Sequence, residues 1–297
     1  MKDFKGKTAI ITGGASGIGL AMAEAFGAEG MKLVIADIEQ GALETAVASL
    51  KARGFEAAGQ LTDVAKAKDM DDLAAFVDDT FGKAHLVALN AGVSITGPIW
   101  QMSLDDWRWV YDVNVWGVIN GIRAFCPRLI GHGEEGHVVI TASEAAFVGI
   151  GYHAPYCSSK AAAVSLATTL HSELAAANSG IGVSVVCPGF VDTQIHRSWR
   201  NRPADDHAWS ERERDPEVAA HVDAFQARGV PPEEIARVTL DAVRDERFYV
   251  FNTLHWKDMI GHGRDVIVNG EAPPVRTWGP DLRPKAVAAE ALKEETR

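Results

Sequence analysis

Short apolar runs alternate along most of the chain with longer segments whose apolar positions recur at helical spacing. Thr8 to Ile11 reads as a strand, a glycine-rich turn follows it, and Leu20 to Phe26 reads as an Ala-rich helix. Leu33 to Ala36 makes a second strand that ends at Asp37. The alternation continues through a helix near Gly41 to Ala52, a strand near Glu56 to Gln60, a helix near Lys66 to Thr80 and the run Leu86 to Leu89, which ends at Asn90. The next helix is expected over roughly Asp105 to Ile130, with Pro127 kinking or shortening its end. Val138 to Ala142 then delivers Ser143 at a strand end, a helix runs from about Pro155 to Ala177, and Val183 to Cys187 is a strand broken by Pro188-Gly189. Beyond a variable stretch, Pro231-Pro232-Glu233-Glu234 starts a helix ending near Val243, and Phe248 to Phe251 is a seventh strand.

Strands separated by helices of this length predict an α/β fold, a doubly wound seven-stranded parallel sheet flanked by helices on both faces. Residues 1–252 are expected to form one nucleotide-binding catalytic domain, with 190–229 covering the substrate site and 253–297 as a C-terminal extension. Phe190, Trp199, Trp209 and Phe225 punctuate the charged cover, as suits an apolar ligand beneath a wet outer surface. In the extension, Leu254, Trp256, Met259, Ile260, Val266, Ile267 and Val268 offer anchors that dock either near the substrate loop or on an adjacent subunit, or serve as a remote strap.

The first strand-to-helix turn, Thr12-Gly13-Gly14-Ala15-Ser16-Gly17-Ile18-Gly19, carries a phosphate cradle. Gly13 permits a tight turn, Gly17 leaves room for a phosphate, and Gly19 lets the helix pack near the sheet while its N-terminus meets the pyrophosphate. Asp37 then sits where a carboxylate can accept from an adenosine ribose, and neither it nor Ile38 offers a cation to a 2′-phosphate. NAD is therefore expected over NADP, unless Asp37 only caps the following helix. Asp63-Val64 either brackets the adenine or contributes a helix cap, and Asn90-Ala91-Gly92 offers small residues beside the cofactor or a plain strand-ending turn.

Tyr156 and Lys160 stand one helical turn apart, so that an ammonium lies beside a phenol and favours its phenolate. Three strand ends bring Asn90, Ser143 and Pro188 to the crevice where open α/β sheets bind ligands. Glu144 and His153 stay outside the core mechanism and read as ordinary solubilising loop residues, or alternatively as a polar edge of the pocket. The scattered histidines have no metal-ligand spacing, and Cys126, Cys157 and Cys187 read as reduced thiols, so no metal is expected.

Charge and composition narrow the class further. With 29 Lys plus Arg against 40 Asp plus Glu, the formal charge of -11 gives no electrostatic reason to expect nucleic acid or an anionic membrane. Thr8 to Ile11 is too short an apolar run for a signal core or a membrane span, so a cytoplasmic location is expected.

Over about residues 6–251 the chain resembles the short-chain dehydrogenase/reductase family with its Rossmann-like fold. Thr12 to Gly19 resembles the family's glycine motif, Asn90-Ala91-Gly92 its fourth-strand motif, Asn114 its relay asparagine, Ser143 its serine and Tyr156 through Lys160 its Tyr-x-x-x-Lys motif. Pro188-Gly189 followed by Val191-Asp192-Thr193 resembles its nicotinamide-side loop. Phrases such as Gly97-Pro98-Ile99 and Gly136-His137-Val138-Val139 are similar to bacterial dehydrogenases of benzylic alcohols in lignin-derived aryl ethers.

The resemblance implies catalysis by Asn114, Ser143, Tyr156 and Lys160, with Tyr156 as acid/base, Ser143 orienting the oxygen, and Lys160 also holding the nicotinamide ribose. Thr193 would reach the carboxamide, and Asn114 would hold a water linking Lys160 to solvent. It further implies a homodimer or homotetramer acting on a small secondary alcohol or ketone, with Trp109, Val113, Trp116, Phe125, Val164 and Leu166 on the candidate interface helices. Ser94, Ile95, Thr96, Ala145, Phe147, Val148 and Phe190 are candidate substrate contacts. A steroid dehydrogenase and a non-catalytic NAD-binding regulator are the alternatives, the latter disfavoured by the intact quartet.

Overall fold

The structure, a computed structural model, describes residues 1–202, 223–224, 226–252 and 256–275. Seven parallel strands lie in the order β3-β2-β1-β4-β5-β6-β7. They are β1 Thr8–Thr12, β2 Lys32–Asp37, β3 Ala57–Leu61, β4 Leu86–Leu89, β5 Gly136–Thr141, β6 Ile181–Val186 and β7 Tyr249–Val250. The helices between them are α1 Gly17–Ala28, α2 Gln40–Ala52, α3 Ala67–Phe81, α4 Leu104–Tyr111, α5 Gly117–His132, α6 Ala154–Ala176, α7 Pro232–Arg244 and α8 Trp256–Asn269.

Both faces of the sheet are buried, and strand alternation divides the core in two. Ile10, Val34, Val87, Val138 and Ile140 pack with Leu73 and Val77 of α3, Phe125 and Leu129 of α5, and Leu170 of α6. Their neighbours Ala9, Ile11, Leu33, Ile35 and Val139 face the opposite side, with Phe26 of α1, Leu50 of α2 and Ile235 of α7. A period of two buried on both sides is the sheet signature expected from βαβ crossovers. Strand order reverses between β1 and β4, so the carboxyl ends of these strands open a crevice.

The long helix expected over Asp105 to Ile130 is divided. A π-helical turn, Asp112–Trp116, separates α4 from α5, whereas Pro127 lies inside α5, which continues to His132. Pro127 and Arg123 are both exposed, so the carbonyl freed by the missing proline N–H faces solvent rather than the core. The seventh strand is reduced to Tyr249–Val250.

Two of the residues expected on an interface turn inward: Phe125 joins the central core and Trp109 is buried against Val93, Ile95 and Val110. Trp116 and Leu104 remain exposed. On α8, Val266 is buried while Ile267 and Val268 face outward. Trp209, Phe225, Leu254 and the segment 276–297 lie outside the described residues. Among the described residues no helix is long and apolar enough to cross a membrane, and no cluster of metal-ligating side chains occurs.

Candidate active site

The crevice holds a cavity of about 880 Å³. Its nucleotide end begins at the glycine turn. Gly13 (φ 59°) and Gly17 (φ 49°) occupy the left-handed region that disfavours side chains. A Cβ on Gly17 would meet Thr193 Cγ2 at 3.2 Å, which brings the segment after β6 to the mouth of the phosphate cradle. Ser16 makes no side-chain cap on α1, leaving the first N–H groups of that helix directed at the cavity. These features fit a dinucleotide pyrophosphate.

Thr12 and Gly19 stand behind this surface rather than on it. Thr12 is buried, its hydroxyl donating to the Ala88 carbonyl at 3.2 Å and accepting from the backbone N–H of Asn90 at 2.9 Å and of Ala91 at 3.2 Å. A Cβ on Gly19 would lie 2.1 Å from the Gly13 carbonyl, so this glycine keeps helix and turn in contact. The Asn90 amide donates to the carbonyls of Thr12 at 3.1 Å and Gly13 at 3.2 Å, and its oxygen accepts from Thr141 Oγ1 at 3.1 Å. One side chain thereby fastens the ends of β1, β4 and β5.

Asp37 terminates β2, its two oxygens accepting from the N–H of Ala15 at 3.0 Å and of Glu39 at 3.1 Å. Ile38, Asp63, Val64, Ala91, Gly92, Pro188, Gly189, Val191 and Thr193 all line the same cavity. Asp63 also accepts from Ala65 N at 3.1 Å, so it acts as a turn cap while it lines the cavity.

Ser143, Tyr156 and Lys160 meet at the centre. Ser143 leads a single turn of 3-10 helix, accepting from Ala145 N at 3.1 Å, and its hydroxyl also hydrogen bonds the Tyr156 phenol. Tyr156 and Lys160 project from the first turns of α6, with the ammonium 5.7 Å from the phenol ring centre. Lys160 is buried and donates to the Thr141 carbonyl at 2.8 Å. Burial pushes the Tyr156 phenol up to about 12, against a lowering pull from Ser143, and pushes Lys160 down to about 8. Desolvation thus outweighs the ammonium's expected bias toward phenolate.

Asn114 sits in the π-helical turn behind the cavity. Its oxygen accepts from Val93 N at 2.9 Å, and its amide donates to Val93 O at 2.9 Å and Ser159 Oγ at 3.0 Å. The widened turn carries this amide inward to the loop after β4. Gly92 is the spacer: a Cβ there would stand 3.2 Å from Lys160 Nζ and 3.4 Å from Asn114 Oδ1.

Ser94, Thr96, Ala145 and Phe190 line the remaining wall. Ile95, Phe147 and Val148 do not; Phe147 instead packs on Phe251 with ring centres 5.8 Å apart. Sequence reasoning missed Trp109 and Ile150 as walls and placed Glu144 and His153 too far out, whereas Trp199, expected in the cover, does line the cavity. Glu144 is buried beneath Gly189, and His153 lines the cavity, with its basicity lowered by burial.

Within the expected cover 190–229, a strap of 3-10 helix, Ile195–Asn201, lines the cavity, and its side-chain partners were not foreseen. Arg200 and Asn201 hold Glu39, Ser198 Oγ accepts from Ser94 N at 3.2 Å, and Arg202 makes a buried ion pair with Asp106 while lying over the Trp109 ring at 5.4 Å. Asp106 is preset for that pair by a capping box with Ser103, a spacing that was readable in the sequence.

The short chain dehydrogenase model matches residues 7–204. The chain belongs to the short-chain dehydrogenase family. It is accordingly an oxidoreductase, similar to a C alpha-dehydrogenase of Sphingobium sp. at 35% identity over 92% of this chain and 89% of that protein. Among solved structures, a short chain dehydrogenase/reductase from Burkholderia phymatum in complex with NAD is 36% identical with a TM-score of 0.86, covering 92% of this chain and 98% of that one. The apo form of LigD from Sphingobium sp. strain SYK-6 is 32% identical with a TM-score of 0.76, over 92% and 100%.

Proposed function

We propose that this family member is an NAD-dependent dehydrogenase interconverting a medium-sized secondary alcohol and its ketone, with benzylic aryl-ether alcohols as the leading substrate class. The observation that carries it is the meeting, in one cavity, of the Asp37-bounded nucleotide cradle with Ser143, Tyr156 and Lys160. Trp109, Val113, Ile150 and Phe190 give the substrate end apolar walls suited to an aryl group, while Ser94 and Thr96 can meet ether or hydroxyl oxygen. The similarity to a protein named C alpha-dehydrogenase supports the benzylic reading.

Oxidised nicotinamide, when bound, supplies the hydride acceptor and a positive charge. Ser143 hydrogen bonds the substrate oxygen and turns its proton toward Tyr156, which removes it in oxidation and returns it in reduction. Lys160 holds the nicotinamide ribose and stabilises the phenolate, and Asn114 fixes the loop that carries Gly92 beside that ammonium. Taking a phenol from about 12 to pH ~7 demands roughly 7 kcal/mol of cationic stabilisation at ~1.4 kcal/mol per pH unit. Tyr156 therefore becomes a better base with the positively charged nicotinamide beside it.

Mixing enzyme and NAD with single-turnover amounts of benzylic aryl-ether alcohols, aliphatic secondary alcohols and hydroxysteroids should yield NADH, fastest in the first group. Fastest turnover of a steroid would replace the substrate class. Cofactor binding with no hydride transfer to NAD from any of them would favour the regulator.

The active form is a cytoplasmic homodimer or homotetramer, with exposed Trp116 and Leu104 on the α4–α5 face as the apolar surface to be covered. Sedimentation equilibrium is expected to give a species of at least twice the chain mass. A concentration-independent, fully active monomer would overturn this expectation.

A further inference from the structure

The nucleotide end of the cavity holds a second carboxylate that the proposed NAD reading does not use. Glu39 lies two residues beyond Asp37, lines the same cavity, and has its backbone N–H fixed by the Asp37 side chain. Its Oε1 accepts from Arg200 Nε at 3.0 Å, Arg200 Nη2 at 2.8 Å and Asn201 Nδ2 at 2.9 Å. Although burial raises the carboxyl's pKa, these bonds and the guanidinium charge together leave it below its ordinary range. Arg200 is thus neutralised in place by an acid next to the expected ribose site.

Other cations on this cavity are also paired, Lys66 with Asp63 and Arg197 with Asp223. Arg200 differs in that its partner adjoins Asp37 and its position does not depend on that partner alone. Nη1 donates to the carbonyls of Gln194 at 3.1 Å and Arg197 at 3.0 Å. The buried Arg202–Asp106 pair anchors the same strap at α4. Removing the Glu39 charge would leave a guanidinium still held at the cavity edge, with Nε and Nη2 no longer paired to a carboxylate and available to a stronger anionic acceptor. A guanidinium so placed suits a phosphate, which it can meet with paired charge-assisted hydrogen bonds.

We infer that Glu39 is a second determinant of cofactor choice, acting by sequestering Arg200, and that Arg200 is a latent binding residue for the 2′-phosphate of an NADP-type dinucleotide. With Asp37 and Glu39 both present, the two carboxylates lining this cavity outnumber the Arg200 guanidinium, which disfavours a further anion; with both neutral, the balance becomes attractive. The inference rests on the NAD reading above and extends it from one residue to a three-residue charge arrangement.

The test compares NADP and NAD dissociation constants at one salt concentration for wild type, D37S, D37S/E39Q and D37S/E39Q/R200A. D37S alone should relax the preference. Adding E39Q should raise relative NADP affinity by a further factor of at least about ten, and R200A should return it to the D37S value. Arg200→Lys in the double variant should keep part of the gain, as a point charge without the paired geometry. The fragments 2′,5′-ADP and 5′-AMP, bound to the same proteins, should follow the same order and keep the readout independent of turnover. No gain from E39Q, or a gain that survives R200A, with wild-type NAD preference intact, overturns the role of Glu39 and Arg200 alone. A wild type that already favours NADP overturns both this inference and the reading beneath it.

Discussion

Tyr156→Phe should lower turnover at least about 100-fold while leaving NAD affinity nearly unchanged. The substitution keeps the ring that packs in the cavity wall and removes only the hydroxyl, which hydrogen bonds Ser143 and is the proposed proton carrier. Loss of general acid/base help accounts for a factor of that size, equivalent to about 3 kcal/mol or more of barrier. Pre-steady-state hydride transfer with a deuterated alcohol is the decisive measurement, since slow product release can hide a change in chemistry. An unaltered, isotope-sensitive transfer rate in the variant would remove Tyr156 from its assigned role.

Lys160→Met should have the opposite signs for activity and stability: turnover falls severely, and the cofactor-free protein becomes more stable near neutral pH. A buried ammonium driven from 10.5 to about 8 carries a desolvation cost of roughly 3 kcal/mol, which a methionine of similar reach does not. Part of the gain is lost with the hydrogen bond to Thr141, leaving about 1–3 kcal/mol, or several degrees in Tm. The pH dependence gives the check. The folded lysine loses its proton near about 8 and the unfolded one near 10.5, so between these values the unfolded state binds more protons and wild-type stability rises with pH. The variant's advantage should be full below about pH 8 and gone above about 10.5. A constant difference across that window would mean that Lys160 is not held against its ordinary ionisation.

The sheet was legible because its evidence is local and periodic: β1, β2, β4, β5 and β6 are short, largely apolar runs buried on both faces, separated by segments of helical spacing. The same held for the placement of Asp37, Asn90, Ser143 and Pro188, at or just beyond the ends of strands whose order brings them to one crevice. What escaped depends on contacts between residues far apart in sequence. Nothing near Asn114 announces that its amide will bond Val93 and Ser159 and widen a helical turn, and nothing near Arg200 or Arg202 names Glu39 or Asp106 as partner. The phenol's upward shift was hidden for a related reason: spacing shows that a lysine is near, but only the packed cavity shows how much water both groups have lost.

Thr141 accepts the Lys160 ammonium on its carbonyl and donates its hydroxyl to Asn90, whose amide in turn grips the glycine turn. On the proposed assignment, the groups that seat the phosphates and the group that governs the proton are therefore joined through two side chains and behave as a single mechanical part. Changes made at this joint will perturb KM and kcat together. At the ribose end Asp37 still touches the glycine turn through the Ala15 N–H, whereas among the described residues the Glu39 side chain bonds only the strap, and it is at Glu39 that cofactor preference can be altered with least disturbance to the chemistry.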